Sequence, residues 1–175
     1  MHHELDETDL RVRADIERYG WHVAVVPPDE ATPGAVGWAF TIGLEQSLRH
    51  PELVVFGLEP GLAQGLLNRA ADAVRRGWRF EIGQRYEGLL EGYPCAVREV
   101  DVRWHSVFLG NAQWHYRGDG FAALQLFWPD PAKRFPWEEG FSEAWRADQP
   151  LLFLSTDEQA LPSGLRASLE REGAL

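Results

Sequence analysis

The sequence predicts an α+β fold: a single domain spanning residues 1–175, with two or three helices packed on a largely antiparallel sheet. Several short runs alternate large apolar residues with small or polar ones, which is the period of half-buried strands. The gaps between these runs are short or hold one helix, which favours antiparallel neighbours over a doubly wound parallel sheet. A chain of 175 residues, 45% of them hydrophobic, is long enough to bury one core. The sheet is expected to be open or curled like a split barrel.

The centre of this prediction is the stretch 36–58, in which two apolar runs are joined by a polar link. In the first run five large residues alternate with four small ones: Val36, Trp38, Phe40, Ile42 and Leu44 with Gly37, Ala39, Thr41 and Gly43. Successive side chains of a strand point to opposite faces, so one face is large and the other is nearly bare. We expect the large face to pack in the core. The small face allows a helix, another sheet or a ligand to approach the backbone.

Hydrophobic period, glycines and prolines place the other elements. Helices are predicted from Thr8 or Asp9 to Tyr19, from Pro60 to Gly77, from His105 to Tyr116 and from Asp157 onward. Strands are predicted at Trp21–Val26, Leu53–Leu58, Tyr93–Val100 and Phe121–Trp128, with Leu151–Leu154 as a last edge strand or a short buried piece. Residues 83–88 are predicted to form a loop. Residues 129–145 carry four large rings between prolines, so we expect them to lie over the body as a covering segment.

Composition and charge exclude several classes of function. The formal net charge is −10 and no run of basic residues occurs, so a nucleic-acid surface is not expected. No apolar stretch approaches the roughly 18 residues of a membrane span. The acidic N-terminus lacks the apolar core of a secretion signal. Cys95 is the only cysteine, which suits a reducing cytoplasm.

The loop at 83–88 is the most site-like stretch of the chain. Arg85 offers a planar fork for a carboxylate or a phosphate, and Tyr86 offers a ring with a hydroxyl. Tyr93 follows closely and joins them as a ligand-binding candidate. The alternative is that Arg85 pairs with a neighbouring glutamate, Glu87 or Glu91, and only orders the loop.

A second group of candidates surrounds the link between the two central strands. His50 would act as a base or metal ligand with Glu52 beside it, and Thr41 lies on the small face of the first strand. The alternative is that Pro51 fixes the entry to the second strand while His50 hydrogen-bonds local backbone.

The sequence identifies neither a metal motif nor a catalytic residue. No histidine pair has the i, i+4 spacing with a glutamate that marks a zinc helix, and there is no cysteine pair. A metal site assembled from separate elements would use His22, His50 and His105. Cys95 lies in a predicted strand, where a cysteine packs as a small hydrophobe, and no Gly-x-Ser-x-Gly elbow is present.

Eight tryptophans in 175 residues predict either a ring-rich core or an aromatic cleft. Trp128 and Trp137 are the ligand-binding candidates in this group. With Trp145 and two phenylalanines they either line a cleft beneath the covering segment or fill the core there.

Six ordered motifs resemble the 4262 family of bacterial domains of unknown function: YGWHV at 19–23, FTIGL at 40–44, HPELVVFGL at 50–58, GQRYEGLLEGYP at 83–94, LQLFWPD at 124–130 and FPW at 135–137. The resemblance covers about residues 19–154 and leaves N- and C-terminal helical extensions outside. It implies a single cytoplasmic bacterial domain, without an established activity or catalytic residues. The order of elements is also similar to that of split barrels that bind flavin, where a strand residue placed like Thr41 approaches the cofactor phosphate.

These observations support hypotheses from different classes. The first is a non-catalytic binding or accessory protein that recognises a protein or peptide partner through an exposed sheet face or the aromatic segment, its acidic surface suiting a basic partner. The alternative is a small-molecule or flavin-type cofactor site, with redox chemistry, between the small face of the first central strand and the Arg85–Tyr86 loop. Metal-assisted hydrolysis by scattered histidines and glutamates is the third.

Overall fold

The computed structural model describes residues 6–155 and 160–175 and confirms the α+β class. Six strands form one sheet: β1 His22–Val26, β2 Trp38–Ile42, β3 Glu52–Phe56, β4 Tyr86–Leu90, β5 Tyr93–Glu99 and β6 Ala123–Phe127. Their order is β1-β2-β3-β6-β5-β4, and every neighbouring pair is antiparallel except β3 and β6. The sheet is open, with β1 and β4 at its edges, so it does not curl into the barrel that the sequence left as an alternative.

Six helices are described with it: α1 Glu7–Tyr19, α2 Leu44–Leu48, α3 Pro60–Arg75, α4 His105–Phe108, α5 Gly110–Tyr116 and α6 Ser163–Arg171. Helix α1 begins with a capping box between Asp6 and Asp9 and ends at Gly20, whose φ is 96°. The predicted start of the last helix at Asp157 lies outside the described residues. No helix within the described ranges is long and apolar enough to span a membrane.

Several element boundaries differ from the prediction. Residues 86–88 of the predicted loop 83–88 belong to strand β4, and Gly92 at φ 79° closes a hairpin that pairs Leu90 with Tyr93. The predicted helix 105–116 is two short helices that meet at Leu109, whose φ of −122° interrupts the helical path. Residues 151–154 form no strand.

Helices cover both faces of the sheet, which explains the alternation in β2. On one face α3 packs over residues that include Ala39, Leu53, Val55, Leu124 and Leu126. On the other face α1, α4, α5 and α6 pack over Phe40, Ile42, Val54 and Phe56. The large face of β2 is therefore core, as expected. Its small face is closely packed as well, because α3 leaves Ala39 with no exposed surface.

Two buried glutamine amides tie residues 149–152, which follow the covering segment, to β6 and to Trp128 at its end. Gln149 accepts from the Trp128 N–H at 3.1 Å and donates to the Trp128 carbonyl at 2.9 Å. Gln125 donates to the Pro150 carbonyl at 2.7 Å and accepts from the Leu152 N–H at 3.2 Å. Each amide makes the pair of bonds that a neighbouring strand would make, so the segment follows β6 without becoming a strand.

Candidate functional site

The centre of the fold is the buried carboxylate of Glu52 at the start of β3. Gly43, at φ 110°, turns the chain from β2 into α2 and its N–H donates to Glu52 Oε1 at 2.8 Å. The Thr41 hydroxyl donates to Oε2 at 2.6 Å and accepts from the Leu53 N–H at 2.9 Å. The Tyr116 hydroxyl also donates to Oε1. Burial raises the pKa of the Glu52 carboxyl to about 7, opposed by these donors.

These contacts are internal, and they join β2, β3 and α2. Thr41 and Glu52 have no exposed surface. The hydroxyl that the split-barrel likeness would place beside a cofactor phosphate is therefore engaged by a carboxylate, on a strand whose small face α3 covers.

His50 is also buried, at 1% exposure, and both of its ring nitrogens have backbone partners. Nδ1 lies 2.8 Å from the Pro51 carbonyl, and Nε2 accepts from the Phe80 N–H at 3.1 Å. This pairing holds a neutral ring with its proton on Nδ1, and burial lowers the pKa of the imidazole. The contacts are those of the backbone-bonding alternative considered from the sequence.

The three histidines considered for a metal have separate partners. His22 Nδ1 lies 2.7 Å from an Asp15 carboxylate oxygen. His105 stacks on the Phe121 ring with centroids 4.5 Å apart, and its buried Nδ1 has no hydrogen-bond partner in the described part of the chain. In residues 6–155 and 160–175 no group of three or more His, Cys, Asp or Glu side chains is placed to hold a metal ion.

Arg85 connects the 83–88 region to the covering segment. Its guanidinium donates to the Lys133 carbonyl at 3.0 Å and to Glu138 Oε1 at 2.6 Å. Its Cζ lies 4.9 Å from the centroid of the Phe135 ring. The carboxylate that pairs with it is thus 53 residues away in the chain, rather than on a neighbouring glutamate.

The other aromatic candidates lie at separate positions. The Tyr86 hydroxyl accepts from the Glu81 N–H at 2.7 Å. Trp128 is buried and donates its indole N–H to the Phe56 carbonyl at 2.8 Å. Tyr93 is exposed at the start of β5. These three side chains therefore do not share one site.

Two sequence candidates do line a common cavity, which we call the arginine–tryptophan groove. It has a volume of 210 Å³ and lies between residues 82–85, residues 96–98 of β5 and the covering segment. Arg85, Arg98, Trp137 and Glu138 are among its lining side chains.

A larger cavity of 510 Å³, the edge cleft, lies at the start of β1 between α1 and α3. It is lined by residues 21–23, by Arg11 and Asp15 of α1, and by Gln64 and Asn68 of α3, among others. The Trp21 indole N–H donates to Asn68 Oδ1 at 3.0 Å across it.

One edge of β1 faces away from the sheet without a partner strand. The Gly57 N–H donates to the Gly37 carbonyl at 3.0 Å, so odd-numbered residues of β2 bond to β3. Even-numbered residues of β2 then bond to even-numbered residues of β1. The backbone groups of Val23 and Val25 therefore point outward, and no described residue hydrogen-bonds to them.

Sequence reasoning missed Asp130, Arg98 and the edge cleft. Asp130 accepts the N–H groups of three residues of the covering segment, Ala132, Arg134 and Ser142, and its position between two prolines was an available turn signal. Arg98 lies in the predicted strand 93–100, and no local pattern indicates that the rings of Trp137 and Phe153 contact it. No local pattern specifies the cleft, since its lining comes from three elements.

Comparison with known proteins places the chain in a family. The model of DUF4262, described as a domain of unknown function, matches residues 15–142. No curated protein and no solved structure matches the chain. The matched residues hold all six motifs that carried the resemblance and make up most of the chain. This protein therefore belongs to the DUF4262 family of domains of unknown function.

Proposed function

We propose that this chain is a non-catalytic binding domain that recognises an extended segment of a partner protein along β1. The observation that carries the proposal is the unpaired edge of β1, the first residues of which line the edge cleft. A free strand edge presents alternating N–H and C=O groups, and extended segments bind such edges as an additional strand. The cleft between α1 and α3 provides space at that edge for the side chains of the segment.

Side chains of the edge cleft favour a segment with acidic residues. Arg11 and Arg75 line the cleft. Arg75 also pairs with Asp72 of α3, and its Cζ lies 5.0 Å from the centroid of the Trp21 ring. Arg11 is therefore the lining cation without such a carboxylate partner among the described residues. The one lining carboxylate, that of Asp15, is engaged with His22. Although the whole chain is acidic, this cleft therefore suits an acidic partner better than a basic one.

The state of the buried polar side chains supports binding rather than turnover. Glu52, His50, Gln125 and Gln149 are fully or almost fully buried, and each has its hydrogen-bond partners within the protein. Groups engaged in this way stabilise the fold and are not presented to a substrate.

We place this domain in the bacterial cytoplasm as part of the same proposal. Cys95 is a free, buried cysteine, and burial raises the pKa of its thiol to about 12. An unpaired thiol suits a reducing compartment. Fractionation of the native host checks this, and recovery of the protein outside the cytoplasm would contradict it.

Selection of short random peptides against the purified protein tests the proposed function. We expect recurrent peptides that slow hydrogen exchange at the amides of Val23 and Val25. The variant Val25→Pro removes one outward N–H at an edge position where proline is tolerated, and it should weaken binding at least about tenfold.

The matched control is Glu30→Pro. Residue 30 is the second residue of a turn in which the Thr32 N–H donates to the Asp29 carbonyl, a position that favours proline. This variant should bind the selected peptides as the original chain does. Peptides that leave both valine amides unprotected, or that bind Val25→Pro equally well, would contradict the proposal.

A further inference from the structure

The arginine–tryptophan groove is independent of the edge cleft, because β2, β3 and β6 stand between β1 and β5. Ligand binding in this groove is therefore tested separately from strand addition at β1. The groove is where a predicted loop, a strand and the covering segment meet, and its most informative residue is Arg98 of β5.

Arg98 is held in a stack of three aromatic rings and two guanidinium groups. Its Cζ lies 3.8 Å from the centroid of the Phe153 ring and 5.1 Å from that of Trp137. Trp137 stacks on Phe135 at 5.3 Å with an interplanar angle of 7°, and Arg85 lies over Phe135 in turn. Such cation–π contacts fix the plane of a guanidinium while leaving its N–H groups free to bond in that plane.

Those N–H groups of Arg98 make no hydrogen bond to any described residue. Nε is enclosed and has no partner, and the nearest carboxylate oxygen, Oε2 of Glu99, lies 3.9 Å away. The side chain is only 25% exposed. By contrast, Arg85 makes two hydrogen bonds within the same groove. A guanidinium has five donors, and leaving the enclosed Nε–H of Arg98 unpaired is unfavourable.

We propose that Arg98 binds a carboxylate group in the arginine–tryptophan groove, carried by a peptide or by a small organic acid. A planar carboxylate matches the fork of a guanidinium through two parallel N–H···O bonds. The flanking rings of Trp137 and Phe153 shield this pair from water, which strengthens it. Glu138 lines the groove and Glu99 lies close to Arg98, so a doubly charged phosphate meets more repulsion there than a singly charged carboxylate.

Titration followed by ¹⁵N–¹H NMR of the Arg98 side chain and the Trp137 indole tests this site. The probes are acetate, N-acetylglycine as a peptide C-terminus, and N-acetylaspartate amide as an acidic side chain, with phosphate and chloride at equal ionic strength. We expect both signals to shift saturably with the carboxylates, and with an affinity at least about tenfold lower for phosphate and chloride. N-acetylglycine or N-acetylaspartate amide binding tighter than acetate supports a peptide source, and equal binding supports a small acid.

Unsaturable shifts of the same size for carboxylates and chloride would overturn the proposal, as would phosphate binding as tightly as acetate. The variant Arg98→Lys keeps the charge and loses the fork, so its carboxylate affinity should fall at least about tenfold. The remote control is Arg18→Lys on α1, which should bind as the original chain does. Unchanged affinity in Arg98→Lys would also overturn the proposal. If that variant loosens the covering segment, the titration of the unmodified chain still decides.

Discussion

Raising the pH from about 5 to about 8 should destabilise this protein through Glu52. The carboxyl is fully buried, and burial raises its pKa from 4.5 to about 7 in the folded state. Over that interval the folded chain keeps a proton that the unfolded chain has released. The stabilisation from this proton is therefore complete below the unfolded pKa and is lost as the pH rises through the folded one.

The size of the effect follows from the shift between 4.5 and about 7, which corresponds to roughly 3 kcal/mol over the whole interval. Urea unfolding of the original chain and of Glu52→Gln at several pH values measures it. Glutamine resembles the neutral carboxyl in size and charge, so the other titrating groups cancel in the difference between the two proteins. The stability of the original chain relative to the variant should fall by roughly 2–3 kcal/mol from about pH 5 to about pH 8.

Glu59 supplies the matched control, because it accepts the N–H groups of Gly61 and Leu62 at 3.1 Å in an exposed position at the start of α3. The same comparison with Glu59→Gln should change little over this pH range. A stability difference for Glu52→Gln that stays flat or rises with pH would refute the reasoning. In that case the hydroxyl of Thr41 and the N–H of Gly43 would favour the carboxylate more strongly than burial opposes it.

Two further substitutions test close packing at Gly57 and the amide pairing of Gln149 with Trp128. Gly57→Ala should destabilise the protein by about 1–3 kcal/mol more than Gly92→Ala in urea unfolding. The two glycines have nearly the same φ, 77° and 79°. They differ because the new Cβ at position 57 meets the backbone carbonyl of Asp148, whereas at position 92 it meets open space. Equal costs would contradict this packing. Gln149→Leu leaves the buried N–H and carbonyl of Trp128 unpaired and should cost about 2–4 kcal/mol in the same assay, whereas a cost below about 1 kcal/mol would contradict the pairing.

The fold class was predictable because alternation and helical period report burial locally. Helix α3 was expected from Pro60 to Gly77 and is Pro60–Arg75, with the Glu59 side chain accepting the first free N–H groups. Strand β4 was missed because it lacks the alternating pattern on which the prediction of strands depends. It lies at an edge of the sheet, and of its five residues only Leu89 is buried, so it has no alternation to read.

The candidate sites were less predictable, because their contacts span the chain. Arg85 was singled out for its chemistry, yet its ionic partner Glu138 is 53 residues away and belongs to a segment with no regular period. Arg98 was predicted only as part of the strand 93–100, because the rings that contact it belong to Trp137 and Phe153, far along the chain. The free edge of β1 follows from strand order, which no local pattern contains.

The two proposed binding sites, the free edge of β1 and the arginine–tryptophan groove at β5, both lie away from the centre of the sheet. At the centre, the side-chain oxygens of Glu52 on β3 accept hydrogen bonds from Thr41 of β2, from Gly43 and from Leu44 of α2. Two of the places with polar groups that lack partners among the described residues lie away from this centre: the outward backbone of Val23 and Val25 on the first strand, and Nε of Arg98 on the fifth strand of the sheet order. A centre stabilised by internal hydrogen bonds holds both places in fixed positions, which lowers the ordering cost of binding there. The same central stretch that first suggested a ligand site therefore acts as the support for sites elsewhere.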